Sequence, residues 1–216
     1  VRSATGAAGS NIILPNGGSL LAHWFALVGY NSDYETLGER GSWNAIGPSN
    51  ATIAASPLTY YKFHANEGGL RVPLVISGPG IARVGDMTDV FTFVTDLAPT
   101  ILSLVGVDGH EGSWQGRVVE PIVGADFSNF LAGDSSPIHT DSESIGYELG
   151  GNSASFKGDY KIVINGAGQG ETAWHLFNIK ADPGESRDLA GEQPELLSEM
   201  VLSLIHISEP TRQEAI

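Results

Sequence analysis

The sequence has no cysteine, which excludes disulfides, thiolate metal ligands and a cysteine nucleophile within these 216 residues. Basic residues are scarce: 11 Lys and Arg stand against 25 Asp and Glu, for a formal net charge of −14. No Lys/Arg cluster interrupts that field, which argues against nucleic acid and against an anionic bilayer surface as partners. Long apolar runs are missing as well. None approaches the roughly 18 residues of a membrane span, so no span is expected. Glycine is abundant, with 28 residues beside 11 prolines, and this implies many turns and few long helices. A hydrophobic content of 41% is enough to build a core.

The chain opens at Val1 without a charged stretch leading into an apolar one, and it reads as an internal piece of a longer protein. Residues 202–212 resemble the translation of an adapter used in sequencing libraries, so residues 202–216 are expected to be a non-native tail. Within that tail, Ser208-Glu209-Pro210-Thr211-Arg212 fits a Ser-x-Pro-x-Arg pattern that some hydrolases use for a nucleophile. Its adapter-like origin removes its weight.

Residues 1–56 are rich in Gly, Asn and Ser and read as long loops around one buried piece, His23-Trp24-Phe25-Ala26-Leu27-Val28. The β-branched run over 72–77 suits a strand buried on both faces. Asp96 can cap a helix with Pro99 in its first turn. Leu97, Ile101, Leu104 and Val105 would form its apolar stripe, and Gly106 would stop it. Residues 160–165 and 173–179 are strand-like and joined by a Gly-rich link, which predicts an antiparallel hairpin. Asp182-Pro183-Gly184-Glu185 predicts a turn. Pro194 then opens a helix with Leu196, Leu197, Met200 and Val201 on one side. The expected fold class is α/β, with a catalytic-domain portion over 1–144 and a small α+β subdomain over 145–201.

The most informative stretch runs from Lys62 through Gly68-Gly69-Leu70-Arg71-Val72-Pro73 to Gly78-Pro79-Gly80. A glycine pair permits close backbone approach. The pattern Lys-x5-Gly-Gly-Leu-Arg-Val-Pro, a strand and Pro-Gly resembles the late segment of the sulfatase family, arylsulfatases in particular. Further pieces follow in the family's order: Asp96-Leu97-Ala98-Pro99-Thr100, Trp114-Gln115-Gly116-Arg117, Gly158-Asp159-Tyr160-Lys161, and Leu176-Phe177-Asn178-Ile179 leading to Asp182-Pro183-Gly184-Glu185 and Asp188-Leu189-Ala190.

The resemblance implies a partial alkaline-phosphatase-like sandwich followed by a small antiparallel sheet-plus-helix subdomain. It implies hydrolysis of small-molecule or glycan sulfate esters at a formylglycine made from Cys or Ser, beside a divalent cation, usually calcium. Lys62 matches the family's active-site lysine, which holds a sulfate oxygen, and a compact ammonium suits charge developing on the transferring group. The nucleophile motif and the main metal carboxylates should lie upstream of Lys62. A second metal half-site, Asp-Asn-Gly in the family, has Ala4-Thr5-Gly6 as its counterpart, and Ala4 has no ligand atom. The fragment alone is therefore expected to be inactive, and its parent to be a periplasmic or secreted hydrolase. The rival readings are a phosphodiester or phosphonate hydrolase of the same superfamily and a non-catalytic anion-binding relative.

Other candidates weigh lightly. His64, His110, His139 and His175 have no metal-ligand spacing. Arg71 is expected in a buried ion pair or carbonyl clamp more than on substrate. Asp182 and Glu185 are turn formers first, and Asp86 with Asp89 makes a weak calcium signal. Apolar surface meant for a missing partner segment should be exposed and prone to aggregation.

Overall fold

The computed structural model describes residues 24, 25, 27–43, 47–107, 109, 112–166 and 173–208. Ala4, Thr5, His110 and the tail beyond Ser208 lie outside these. In chain order the elements are α1 (Gly47–Ala55), α2 (Glu67–Leu70), α3 (Leu97–Leu104), β1 (Ser113–Trp114), β2 (Arg117–Val118), α4 (Ser128–Leu131), β3 (Ser144–Leu149), β4 (Asn152–Lys157), β5 (Tyr160–Ile164), β6 (His175–Asn178) and α5 (Pro194–Ser208). The architecture is mixed α/β with two small antiparallel sheets. The chain divides into two compact units, residues 1–72 with 144–216 and residues 73–143.

The first unit is built on a four-stranded antiparallel sheet in the order β3-β4-β5-β6. The expected hairpin is its β5–β6 pair, with Ile162 opposite Leu176. Two further strands extend it. β3 and β4 meet across Gly150-Gly151, both at positive φ (60° and 86°), the backbone that a two-residue hairpin loop requires and that glycine adopts without strain. Side chains alternate across the sheet. Ile162 and Leu176 face α5 and bury against Met200, with Tyr160, Leu189, Leu196, Leu197 and Val201 around them. This confirms the predicted face of α5. The helix runs on through the adapter-like residues to Ser208, with Leu202 and Ile205 exposed. The opposite face of the sheet carries Phe156, Lys161 and Phe177 in register.

The early part of this unit departs from expectation. Trp24, Leu27 and Val28 are exposed rather than buried, while Phe25 is stacked on Trp43 at 4.8 Å between ring centroids. A helix, α1, forms where only loops were expected. Pro48 sits in its first turn, where the missing N–H costs nothing.

The second unit is organised by a carboxylate. Asp96 is fully buried and accepts hydrogen bonds from Phe93 N (2.6 Å), Ala125 N (2.8 Å) and His139 Nε2 (2.8 Å). It does not cap α3 as expected. Its side chain reaches back to Phe93 while its own backbone is already helical. Thr100, one helical turn on, donates to Asp96 O (2.7 Å) and accepts from Phe127 N (3.0 Å). The Asp-Leu-Ala-Pro-Thr string thus ties three segments together.

Two further expectations are corrected in this part of the chain. Residues 72–77 form no strand, and Val75 is 89% exposed. A strand buried on both faces needs ladder partners on both edges, and no described residue supplies one. The stripe on α3 and its C-cap forms, but Ile101, Leu104 and Val105 are exposed. Trp114-Gln115-Gly116-Arg117 is a tight β1–β2 hairpin with Gln115 and Gly116 at positive φ.

Candidate active-site loop

Lys62 lies on the loop 59–66 that leads into α2. Its ammonium is exposed and sits 5.0 Å from the Phe63 ring centroid, and no carboxylate among the described residues pairs with it. Arg71, Arg83, Lys157, Lys161, Lys180 and Arg187 each have a carboxylate partner, whereas Arg40 and Arg117, like Lys62, have none among the described residues. The loop is bent sharply around the lysine. Tyr60 (φ 61°) and Phe63 (φ 80°) both occupy the left-handed region, which costs a bulky residue about 1 kcal/mol or more and persists only where the surroundings impose it.

Those surroundings come from the four-stranded sheet. Asn152 Nδ2 donates to Phe63 O. Asn165 Oδ1 accepts from Ala65 N (2.9 Å), and its Nδ2 donates to Asn66 Oδ1 (2.7 Å). Gly166 N donates to Asn152 Oδ1 (2.8 Å), which orients that amide. Thr59 Oγ1 donates to Gly184 O. The glycine pair has the role expected of it. A Cβ on Gly68 would fall 2.3 Å from Tyr60 O, and one on Gly69 would fall 2.2 Å from His64 O. Only glycine lets α2 fold back so tightly on the loop.

Under the loop lies a cluster of buried charges. Lys161 is 0% exposed and donates to Glu67 Oε1 and to Glu185 Oε1, each at 2.9 Å. Glu185 Oε2 accepts from Glu67 N (2.9 Å), and Arg71 Nη1 stands 3.8 Å from Glu67 Oε2. Two cations therefore balance two carboxylates, and every carboxylate oxygen has a partner. Arg71 is half exposed at its outer end, so the expected ion pair is there but only partly buried. Glu185 is more than a turn former: it is buried, at φ 50°, and inside this cluster.

The remaining candidates have structural partners. His64 is buried, stacked on Tyr60 at 4.6 Å. His175 Nδ1 lies 2.8 Å from Asp188 Oδ2. Burial pushes the Asp188 carboxyl up, but hydrogen bonds from Ala190 N, Leu176 N and the His175 ring outweigh it and hold the group below its ordinary value. Asp182 is held low chiefly by the hydrogen bond from Arg187 N. Asp86 pairs with Arg83 (3.4 Å), and Asp89 is exposed.

His139, in the second unit, lies between Asp96 and Glu143, whose Oε2 is 3.1 Å from Nδ1, within ion-pair reach but outside hydrogen-bond geometry. Burial lowers its basicity, yet the two carboxylates outweigh burial and raise it above the ordinary histidine value. Among the described residues no three His, Asp or Glu side chains converge as a metal site. The described residues do not make a cation site.

No family model matches the chain. It is 34% identical over 173 residues to an uncharacterized sulfatase of Schizosaccharomyces pombe, covering 80% of this chain and 31% of that protein. It is 32% identical over 100 residues to an arylsulfatase of Klebsiella aerogenes (46% and 21% covered). It is 30% identical over 151 residues to arylsulfatase K of Xenopus laevis (68% and 28% covered). The chain thus spans less than a third of the length of these curated relatives. Among solved structures, that of Ps i-CgsB in complex with k-i-k-neocarrahexaose matches with a TM-score of 0.59 and 26% identity, covering 74% of this chain and 34% of that one.

Proposed function

We infer, from the premise that this chain belongs to the sulfatase family, that its parent is an arylsulfatase-type sulfuric ester hydrolase and that Lys62 binds the sulfate group of its substrate. The observation that carries this reading is the state of Lys62: an exposed lysine without a carboxylate partner among the described residues, on a loop pinned to the sheet at Phe63, Ala65, Asn66 and Glu67. A cation already paired would have little field left for an anion, whereas a free one on a fixed loop costs little reorganisation when charge develops on sulfate oxygen. The formylglycine nucleophile and a divalent cation, calcium by resemblance, are assigned to other parts of the parent. The four-stranded sheet with α5 then acts as the small subdomain that supports the lysine loop.

A glycan sulfate ester is the favoured substrate class. The Ps i-CgsB match, crystallised with k-i-k-neocarrahexaose, supports an oligosaccharide in the corresponding cleft of the parent. The test is to compare the intact parent on an aryl sulfate, a sulfated oligosaccharide, a phosphodiester and a phosphonate monoester. A higher kcat/KM on a sulfate ester than on both phosphorus esters is expected. A preference for either phosphorus ester contradicts the reading.

A further inference from the structure

We propose that Lys161 is the positioning residue for Lys62: buried in β5, it clamps the lysine loop to the sheet through Glu67 and Glu185. The inference rests on the sulfate-binding reading of Lys62 and extends it to a residue that contacts no substrate.

Three observations carry it. First, Lys161 is fully buried at the second position of β5, between Phe156 and Phe177 on the neighbouring strands, with its ammonium 5.3 Å from the Phe156 ring centroid. A methionine or leucine would fit such a site without desolvating a charge. Buried ion clusters are an expensive route to stability, and apolar replacements often do as well or better; their best-attested use is to select one register. Second, the cluster is saturated. Both Lys161 hydrogen bonds go to carboxylates, Glu185 also accepts from Glu67 N, and Arg71 lies against the remaining Glu67 oxygen. Any slip of the loop along the sheet leaves a buried carboxylate unpaired, a penalty that apolar contact would not impose. Third, the clamp acts where the chain is least free to relax. Glu67 starts α2 and follows Lys62 by five residues, across a segment with Phe63 at φ 80° and Ala65 N bound to Asn165. A shift at Glu67 is therefore passed to Lys62 rather than absorbed.

A purely structural role would hold the sheet, the core and the loop together and loosen them together. A positioning role would loosen the loop alone. The experiment uses the intact parent, with Lys161→Gln as the direct variant and Glu185→Gln as the milder one that keeps the buried lysine paired to Glu67. Two readouts are taken: hydrogen exchange at the amides of Ala65, Glu67 and Gly68 against those of β4 and β5, and displacement of the Lys62 side-chain NMR signals by inorganic sulfate, with chloride as control.

In Glu185→Gln, exchange at the three loop amides is expected to rise about tenfold, the effect of losing one charged hydrogen bond, while β4 and β5 amides stay unchanged. The sulfate midpoint at Lys62 is expected to shift severalfold upward. Equal loss of protection in loop and sheet, or a loosened loop with an unaltered sulfate midpoint, overturns the positioning role. If sulfate does not move Lys62 in the unmutated parent, the sulfate reading itself fails and the proposal fails with it. An unfolded Lys161→Gln leaves the decision to Glu185→Gln.

Discussion

Lys161 and Glu67 stand 94 residues apart in sequence and 2.9 Å apart in space, both buried, and their ion pair joins the sheet of the first unit to the loop that carries Lys62. Removing the cation leaves buried Glu185 without a counter-charge and Glu67 with only the half-exposed Arg71, 3.8 Å away. Lys161→Met is accordingly expected to destabilise the chain by about 3–5 kcal/mol, the usual cost of breaking a buried pair from one side. Adding Glu67→Gln and Glu185→Gln to that variant should recover much of the loss. Urea unfolding of the single and triple variants checks both expectations.

The glycine pair gives a sharper geometric prediction. Gly68→Ala would place a Cβ 2.3 Å from a backbone oxygen, and backbone cannot yield as a flexible side chain can. A loss of more than about 2 kcal/mol is expected, within the range seen for strained or overpacked sites. Gly191→Ala is the control: nothing lies within 4 Å of its would-be Cβ and its φ is ordinary. Thermal unfolding should separate the two.

This part of the site was only half legible in the sequence. The glycine pair was read as a close approach, and so it is, because only glycine's missing Cβ leaves that signature. The buried cluster was not read. Lys161 stands in the sequence only as one residue of the strand-like run 160–165 and of the Gly158-Asp159-Tyr160-Lys161 string, and nothing local distinguishes a solvated lysine from one sealed under a loop 94 residues away. The β5–β6 pair and the buried side of α5 followed from apolar periodicity. β4, Asn152-Ser153-Ala154-Ser155-Phe156-Lys157, has a composition poor in strand formers and pairs because its neighbours demand it. The reading of residues 72–77 as a strand failed for the opposite reason: the composition is right, but the partners are absent from the described residues.

The Asp96 hub predicts a pH dependence. His139 has its folded-state pKa raised above the ordinary value of 6.5, as Asp96 and Glu143 outweigh burial. A group raised on folding contributes stability that is fully present below its unfolded pKa and is lost as pH rises through its folded pKa. Stability from this source should therefore fall from near pH 6 upward, and His139→Asn should flatten that slope. Urea midpoints taken across this range test it. A midpoint that rises with pH in the unmutated chain and not in His139→Asn would show the sign to be wrong.

The exposed stripe on α3 should make the chain self-associate. Ile101, Leu104 and Val105 lie three and four residues apart on one helical face and are solvent-exposed. Ile101→Glu with Val105→Lys is expected to reduce association without loss of stability, since neither side chain is buried. Sedimentation velocity over a concentration series reads this directly.

The central claim is that Lys62 serves the sulfate group rather than the fold. The most direct measurement is kcat/KM of the intact parent on an aryl sulfate, with and without Lys62→Ala, alongside the unfolding midpoint of each form. Because Lys62 is exposed and has no carboxylate partner among the described residues, the midpoint should not move. The rate parameter should fall by about 10²–10³, the scale for removing one group that stabilises developing charge. Unchanged kcat/KM in a folded Lys62→Ala parent would contradict the account.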